Sequence, residues 1–104
     1  MQFRGARYIH ILVPCPLGWG TASHDTIRIA RLAKETGTFP VFEAEQGEIT
    51  SRLPIRRQLP VAEYLKPQKR YAHLFDPVVD TATLARLQAL ADRNIRKYAL
   101  LEIA

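Results

Sequence analysis

Tyr8-Ile9-His10-Ile11-Leu12-Val13-Pro14-Cys15-Pro16-Leu17-Gly18-Trp19-Gly20 changes character at its first proline. Ahead of Pro14 the run is apolar and branched, broken only by His10, which is the composition of a strand. Strict apolar and polar alternation would mark a strand half open to water, whereas a nearly continuous apolar run fits one covered on both faces. Such strands belong to parallel sheets flanked by helices. From Pro14 on, two prolines and two glycines within seven residues mark an irregular loop leaving the strand's carboxyl end. That is where open α/β sheets place ligands.

Downstream, Ser23 is read as the cap of a helix starting at His24, with Asp25 near its positive end and Gly37 as its stop. Ile27, Ile29, Ala30, Leu32 and Ala33 supply its apolar stripe, and Arg28, Arg31 and Glu35 face away. After Pro40, residues 41–45 and 48–52 read as two short strands around Gln46-Gly47, a two-residue hairpin turn. Residues 53–75 hold Pro54, Pro60 and Pro67 and little periodicity, so they read as a wrapping arm with a short helix at residues 61–66. Asp80 then caps a final helix carried by Leu84, Leu87, Ala91, Ile95, Tyr98 and Glu102. The order strand, helix, hairpin, arm, helix gives one strand suited to a parallel sheet and none to pair with it. A single strand of that kind does not make a sheet, so its neighbours are expected from another polypeptide or another part of a larger protein.

Composition narrows the function classes. With 104 residues and 47% hydrophobic content the chain has the size of one domain with a thin core. No apolar run reaches the length of a membrane span, and the basic start at residues 1–7 lacks a signal peptide's apolar block, so a cytoplasmic location is expected. The net charge of +5 favours an acidic partner without naming it. Cys15 is the one cysteine, which excludes an internal disulfide and any metal site made from this chain's thiolates alone. Gly18 and Gly20 lack the remaining positions of a phosphate-binding glycine loop.

With these segments in order, the sequence resembles the beta subunit of the 2-oxoacid:ferredoxin oxidoreductases, the subunit that binds thiamine diphosphate. There a buried strand runs into an Ala-Pro-Cys-Pro-Thr-Gly-Trp type loop, matched here by Val13-Pro14-Cys15-Pro16-Leu17-Gly18-Trp19. Thr26-Ile27, Arg31-Leu32-Ala33, Glu35-Thr36-Gly37, Pro40 and residues 43–47 follow the family's helix, Glu-Thr-Gly and acidic turn. Pro60-Val61, Glu63-Tyr64-Leu65-Lys66, Gln68, Arg70 and His73-Leu74 resemble its later Pro-Val-Glu-Glu-Tyr-Leu-Lys arm. The similarity covers about residues 5–74, and the final helix agrees only in kind.

The resemblance implies an α/β fold forming the C-terminal part of a thiamine-diphosphate domain, with an incomplete sheet of its own. Residues 5–52 would be the strand, helix and hairpin, residues 53–79 the arm, and residues 80–104 the C-terminal helix. It implies that Cys15 is the fourth ligand of a 4Fe–4S cluster, that Gly18 lets backbone pass close to the cluster, and that Trp19 shields it. The other three cysteines, the thiamine diphosphate and its magnesium would be held elsewhere in the enzyme, so no cofactor is expected on this chain by itself. Implied partners are the remainder of the beta subunit, the other subunits, ferredoxin, coenzyme A and a 2-oxoacid. Leu17 replaces the usual threonine and removes a hydroxyl from the loop.

Plainer readings stand beside these. On residue type alone Cys15 is a small buried apolar residue, His10 a core histidine with a hydrogen-bond partner, and Trp19 ordinary packing. Arg52, Arg56, Arg57, Lys66, Lys69 and Arg70 read as a solvated face or subunit contact. Ferredoxin or coenzyme A phosphates are its functional alternatives. Only Tyr64 and Tyr71 interleave with these charges, so no nucleic acid is expected as a partner, and with no apolar span no membrane is expected either. The rival to an enzyme part is a noncatalytic module that binds another protein, with a small basic RNA-binding protein behind it.

Overall fold

The computed structural model describes residues 4–102. In chain order they form α1 (Pro16–Trp19), α2 (Thr26–Glu35), β1 (Phe42–Glu45), β2 (Glu48–Arg52), α3 (Val61–Leu65) and α4 (Thr81–Lys97), with 3₁₀ turns at Ser23–Asp25 and Lys69–Leu74. The architecture is mixed α/β, as expected, and its sheet has two strands.

The core lies between helices. Ile29, Leu32 and Ala33 of α2 pack with Val61, Tyr64 and Leu65 of α3 and with Leu74, while Leu84 and Leu87 of α4 close the cluster. Ile27 departs from the expected stripe: it sits about 200° around the helix from Ile29 and is exposed. The predicted start of α2 is also corrected. Ser23 opens a 3₁₀ turn instead of capping with its side chain, and the α-helix begins at Thr26, whose hydroxyl donates to Ser23 O at 2.7 Å. At the far end Gly37 takes φ +83° and donates to Lys34 O at 3.0 Å, the turn that a glycine stop provides.

The hairpin forms where it is expected. Gln46 and Gly47 both have positive φ, which matches the twist of the two strands, and a bulge falls between Glu43 and Ala44. The segment after the hairpin is held by backbone and amide groups. Leu59 N–H donates to Glu35 O, Val61 N–H to Gln88 Oε1 and Ile55 N–H to Leu100 O, at 3.1, 2.8 and 2.7 Å.

The final helix is shorter than the predicted span of residues 80–104. It stops at Lys97, and residues 103–104 lie outside the described residues. Ala99 adopts φ +49°, its N–H donates to Arg96 O, and Leu100 N–H donates to Ile95 O. Leu100 packs against Ile95, which completes a helix-ending motif normally announced by glycine. An alanine in that place hides the stop from sequence reading. Beyond it Leu101 makes a parallel bridge to Ile55.

The largest correction concerns residues 8–13. They form no strand, make no backbone hydrogen bond to the other described residues, and expose Tyr8, Ile9, Ile11 and Val13 by 69 to 84%. His10 is therefore no core histidine. It is exposed, and its ring meets Phe39 edge-on at 5.0 Å. The physical reason is the missing neighbour: among the described residues no strand lies beside this segment to take its N–H and C=O groups. Only Leu12 and Pro14 turn inward. With the hairpin also projecting, the radius of gyration is 15.7 Å, against about 13 Å for a compact domain of this length.

Two outcomes test this packing. A Cβ on Gly37 would lie 2.7 Å from Ile95 Cδ1 at a φ unfavourable to alanine. Gly37→Ala should therefore lower stability by about 2 kcal/mol in chemical denaturation. Asp80 accepts from Thr83 N–H at 3.1 Å and Thr83 Oγ1 at 2.7 Å, and these bonds, the backbone one foremost, hold its carboxyl below the ordinary value. A lowered folded-state pKa means that the stabilisation is complete above the unfolded-state pKa and is lost as pH falls through the folded one. Asp80→Asn, which keeps a capping oxygen, should flatten the acid limb of the stability profile; an unchanged limb would remove Asp80 from it.

Candidate functional site

The cysteine loop is a single helical turn with a fixed entry and exit. Cys15 occupies the N-cap position in extended conformation, and Pro16 begins the turn, where its ring costs no hydrogen bond. Trp19 N–H donates to Cys15 O at 2.9 Å, and Gly20 and Thr21 N–H both donate to Pro16 O. Gly20 closes the turn at φ +70°. Cys15 is exposed, so the reading of it as a small buried residue does not hold here.

Gly18 and Cys15 are brought together. A Cβ built on Gly18 would sit 3.4 Å from Cys15 Sγ, so the glycine leaves one flank of the sulfur clear. Trp19 turns the other way. Its ring lies under the Arg70 guanidinium, 3.8 Å from carbon to ring centroid, and it packs against the helical core. Leu17 is 96% exposed at the tip of the turn.

What the sequence reading missed is the support beneath the loop. Gln68 is fully buried and donates from Nε2 to Tyr64 O at 2.6 Å. Its Oε1 accepts from Arg70 Nε at 2.7 Å, and Arg70 reaches the Tyr64 hydroxyl at 3.5 Å. Burial pushes the Tyr64 phenol up, and the Arg70 charge opposes that rise. Arg70, assigned from sequence to a solvated basic face, is thus held from below by amide and phenol and stacked above by an indole. No spacing in the sequence pairs Trp19 with Arg70; only the 3₁₀ turn Lys69–Leu74 brings them together. The same turn grips the end of the loop, where Lys69 N–H donates to Gly20 O at 3.2 Å.

Chemically the arrangement offers one accessible thiol on a held backbone. Among the described residues no group of three or more His, Cys, Asp or Glu is placed to hold a metal ion. A 4Fe–4S cluster takes four thiolates, so the donor present fits one corner of it and requires others from outside the chain. His24 and His73 take no part in the loop. No helix of the described residues is long and apolar enough to cross a membrane.

With this geometry in place, sequence comparison shows what the chain is similar to. The chain is related to the beta subunits of the 2-oxoacid:ferredoxin oxidoreductases and spans about a third of the length of the curated relatives it matches. It is 44% identical over 96 residues to the pyruvate synthase subunit PorB of Methanosarcina barkeri, covering 92% of this chain and 32% of that protein. The PorB subunit of Methanocaldococcus jannaschii is 40% identical over 100 residues, 96% of this chain and 32% of its own. The ketoisovalerate oxidoreductase subunit VorB of Pyrococcus furiosus is 35% identical over 82 residues, 77% of this chain and 26% of its own. No protein-family profile matches the chain.

The grip on the loop is testable directly. A Cβ on Gly20 would come within 2.5 Å of Lys69 Cβ at a positive φ. Gly20→Ala should cost about 2 kcal/mol of stability and free the loop, seen as a larger acrylamide quenching constant for Trp19. Unchanged quenching would show that the contact does not hold the loop.

Proposed function

We propose that this chain works as part of a cytoplasmic 2-oxoacid:ferredoxin oxidoreductase of the pyruvate synthase type, with Cys15 as one thiolate ligand of a 4Fe–4S cluster. The observation that carries the reading is the exposed Cys15 thiol on a hydrogen-bonded turn, preceded by an apolar segment with no neighbouring strand among the described residues. A bare thiol and a bare strand-type run, side by side, suit a surface that another part of the enzyme covers. The sequence relatives, named as subunits of pyruvate synthase and ketoisovalerate oxidoreductase, support the same assignment.

In the complete enzyme, residues 8–13 enter a sheet supplied by the remainder of the beta subunit. Residues 5–52 belong to its thiamine-diphosphate domain, residues 53–79 form the arm, and residues 80–104 complete the C-terminal part. When bound, the thiamine diphosphate with its magnesium supplies carbanion stabilisation and the cluster supplies one-electron transfer toward ferredoxin. The overall outcome is oxidative decarboxylation of a 2-oxoacid with acyl transfer to coenzyme A.

This chain's own share is positional. Pro14 and Pro16 restrict the backbone on both sides of Cys15, so little conformational freedom remains to be lost on ligation. Gly18 keeps the flank of the sulfur open. Trp19, seated on the core, limits water at the base of the turn, and low solvent access is one of the levers on a cluster's potential.

In the complete oxidoreductase, Cys15→Ser should lower the iron and acid-labile sulfide content by about one cluster and abolish 2-oxoacid-dependent ferredoxin reduction. Full iron content with an unchanged electron paramagnetic resonance spectrum would remove Cys15 from the ligand set.

A further inference from the structure

We infer that Arg70 is a positioning residue for the Cys15 loop, acting through Trp19; the inference rests on the ligand role proposed for Cys15. Arg70 makes no ion pair among the described residues, so neutralising a carboxylate does not explain its placement. Its contacts run in two directions instead. Downward, Nε donates to Gln68 Oε1 at 2.7 Å, and Gln68 is buried and tied to the backbone of α3 at Tyr64. Upward and sideways, the planar guanidinium covers the Trp19 ring at 3.8 Å and lies 4.7 Å from the Tyr71 centroid.

These contacts form a chain of fixed geometry that ends at the cysteine. The core holds Tyr64, Tyr64 O holds Gln68, Gln68 holds Arg70, Arg70 holds the Trp19 ring, and Trp19 N–H holds Cys15 O at 2.9 Å. Each link is directional. The hydrogen bond that Nε donates to the Gln68 amide oxygen orients the plane of the guanidinium, and that plane must be parallel to an aromatic face to stack on it. Lysine offers the charge without the plane. The four-residue turn Pro16–Trp19 is too short to persist by its own hydrogen bonding, so its order depends on such outside contacts. Arg70 therefore sets how rigidly Cys15 is presented, and its charge, paired with no carboxylate among the described residues, rests on the loop's own Trp19 ring.

The chain's one tryptophan and one cysteine make the test clean. In the 104-residue chain, Arg70→Met and Arg70→Lys should each raise the acrylamide quenching constant of Trp19 and the amide exchange rates of Trp19 and Gly20. The expected factor is roughly two to five, the scale of one exposed cation–π contact. Exchange inside α4, at Ile95, should not change, which separates a local release from general loosening. Circular dichroism checks folding, and should Arg70→Met fail to fold, Arg70→Lys decides alone.

In the complete oxidoreductase, both variants should keep their iron content while the cluster's resonance spectrum broadens. Arg70→Met should also move the midpoint potential to lower values, because a positive charge near a cluster favours its reduced form. Trp19 quenching and exchange equal to the parent in both variants would overturn the inference. Its failure is distinguishable from failure of the ligand role: the first is read in the chain without any cluster, the second by iron content in Cys15→Ser.

Discussion

The apolar face of α2 meets α3 across Ile29, Leu32, Ala33, Val61, Tyr64 and Leu65, and the positions of the remaining elements follow from that contact. A chain of 104 residues can close only a thin core, and this one closes it between helices. The arm contributes by crossing α2 and α4 with directed hydrogen bonds, including Gln58 Nε2 to Asp92 Oδ1 at 2.6 Å. With α2 packed on α3, only Leu12 and Pro14 of the neighbouring stretch turn toward this core. Residues 8–13 otherwise stay outside with their backbone groups unpaired by protein. The same constraint that makes the helical part self-consistent makes the strand-type segment incomplete.

Tyr64 connects this core to the cysteine loop. It is buried in the helical cluster, yet its carbonyl anchors Gln68 and its hydroxyl faces Arg70. Burial raises the phenol above its ordinary value, so Tyr64 presents a neutral hydroxyl that accepts from Arg70. The position of the surface loop is thus inherited from the packing of α3. That is a route by which a core substitution far from Cys15 would disturb its presentation, with no contact to the sulfur.

How much of this was legible in the sequence depends on whether a signal is local. Gln46-Gly47 dictates its turn by backbone conformation alone, and the hairpin came out as read. Asp80 and Thr83 satisfy each other within one turn, and that cap was legible too. The end of α4 was not, because Ala99 holds a left-handed conformation usually reserved for glycine and is stabilised by the later contact of Leu100 with Ile95. Residues 8–13 mislead in another way. Their composition states the environment they suit, and the described residues do not provide it. At the site, Cys15 and its glycine and tryptophan companions stood out by their prolines, whereas Arg70, Gln68 and Tyr64 were legible only as part of the arm motif, and nothing in their spacing places them under the loop until the 3₁₀ turn folds.

The exposed apolar run and the exposed thiol are adjacent, and that adjacency is itself an argument. Four large apolar side chains left in water cost roughly 1.5 to 3 kcal/mol each relative to burial, so covering residues 8–13 would yield a substantial driving force. A partner surface that pairs with this segment would bring its own loops to the carboxyl end of the same strand, where Cys15 begins the turn. Association driven by the apolar run would therefore deliver further ligands to the sulfur without any separate recognition of the cysteine. The turn needs to be rigid before that event, because a loose loop would lose part of the association energy to its own ordering. The stack of Arg70 on Trp19 supplies that rigidity from within the chain.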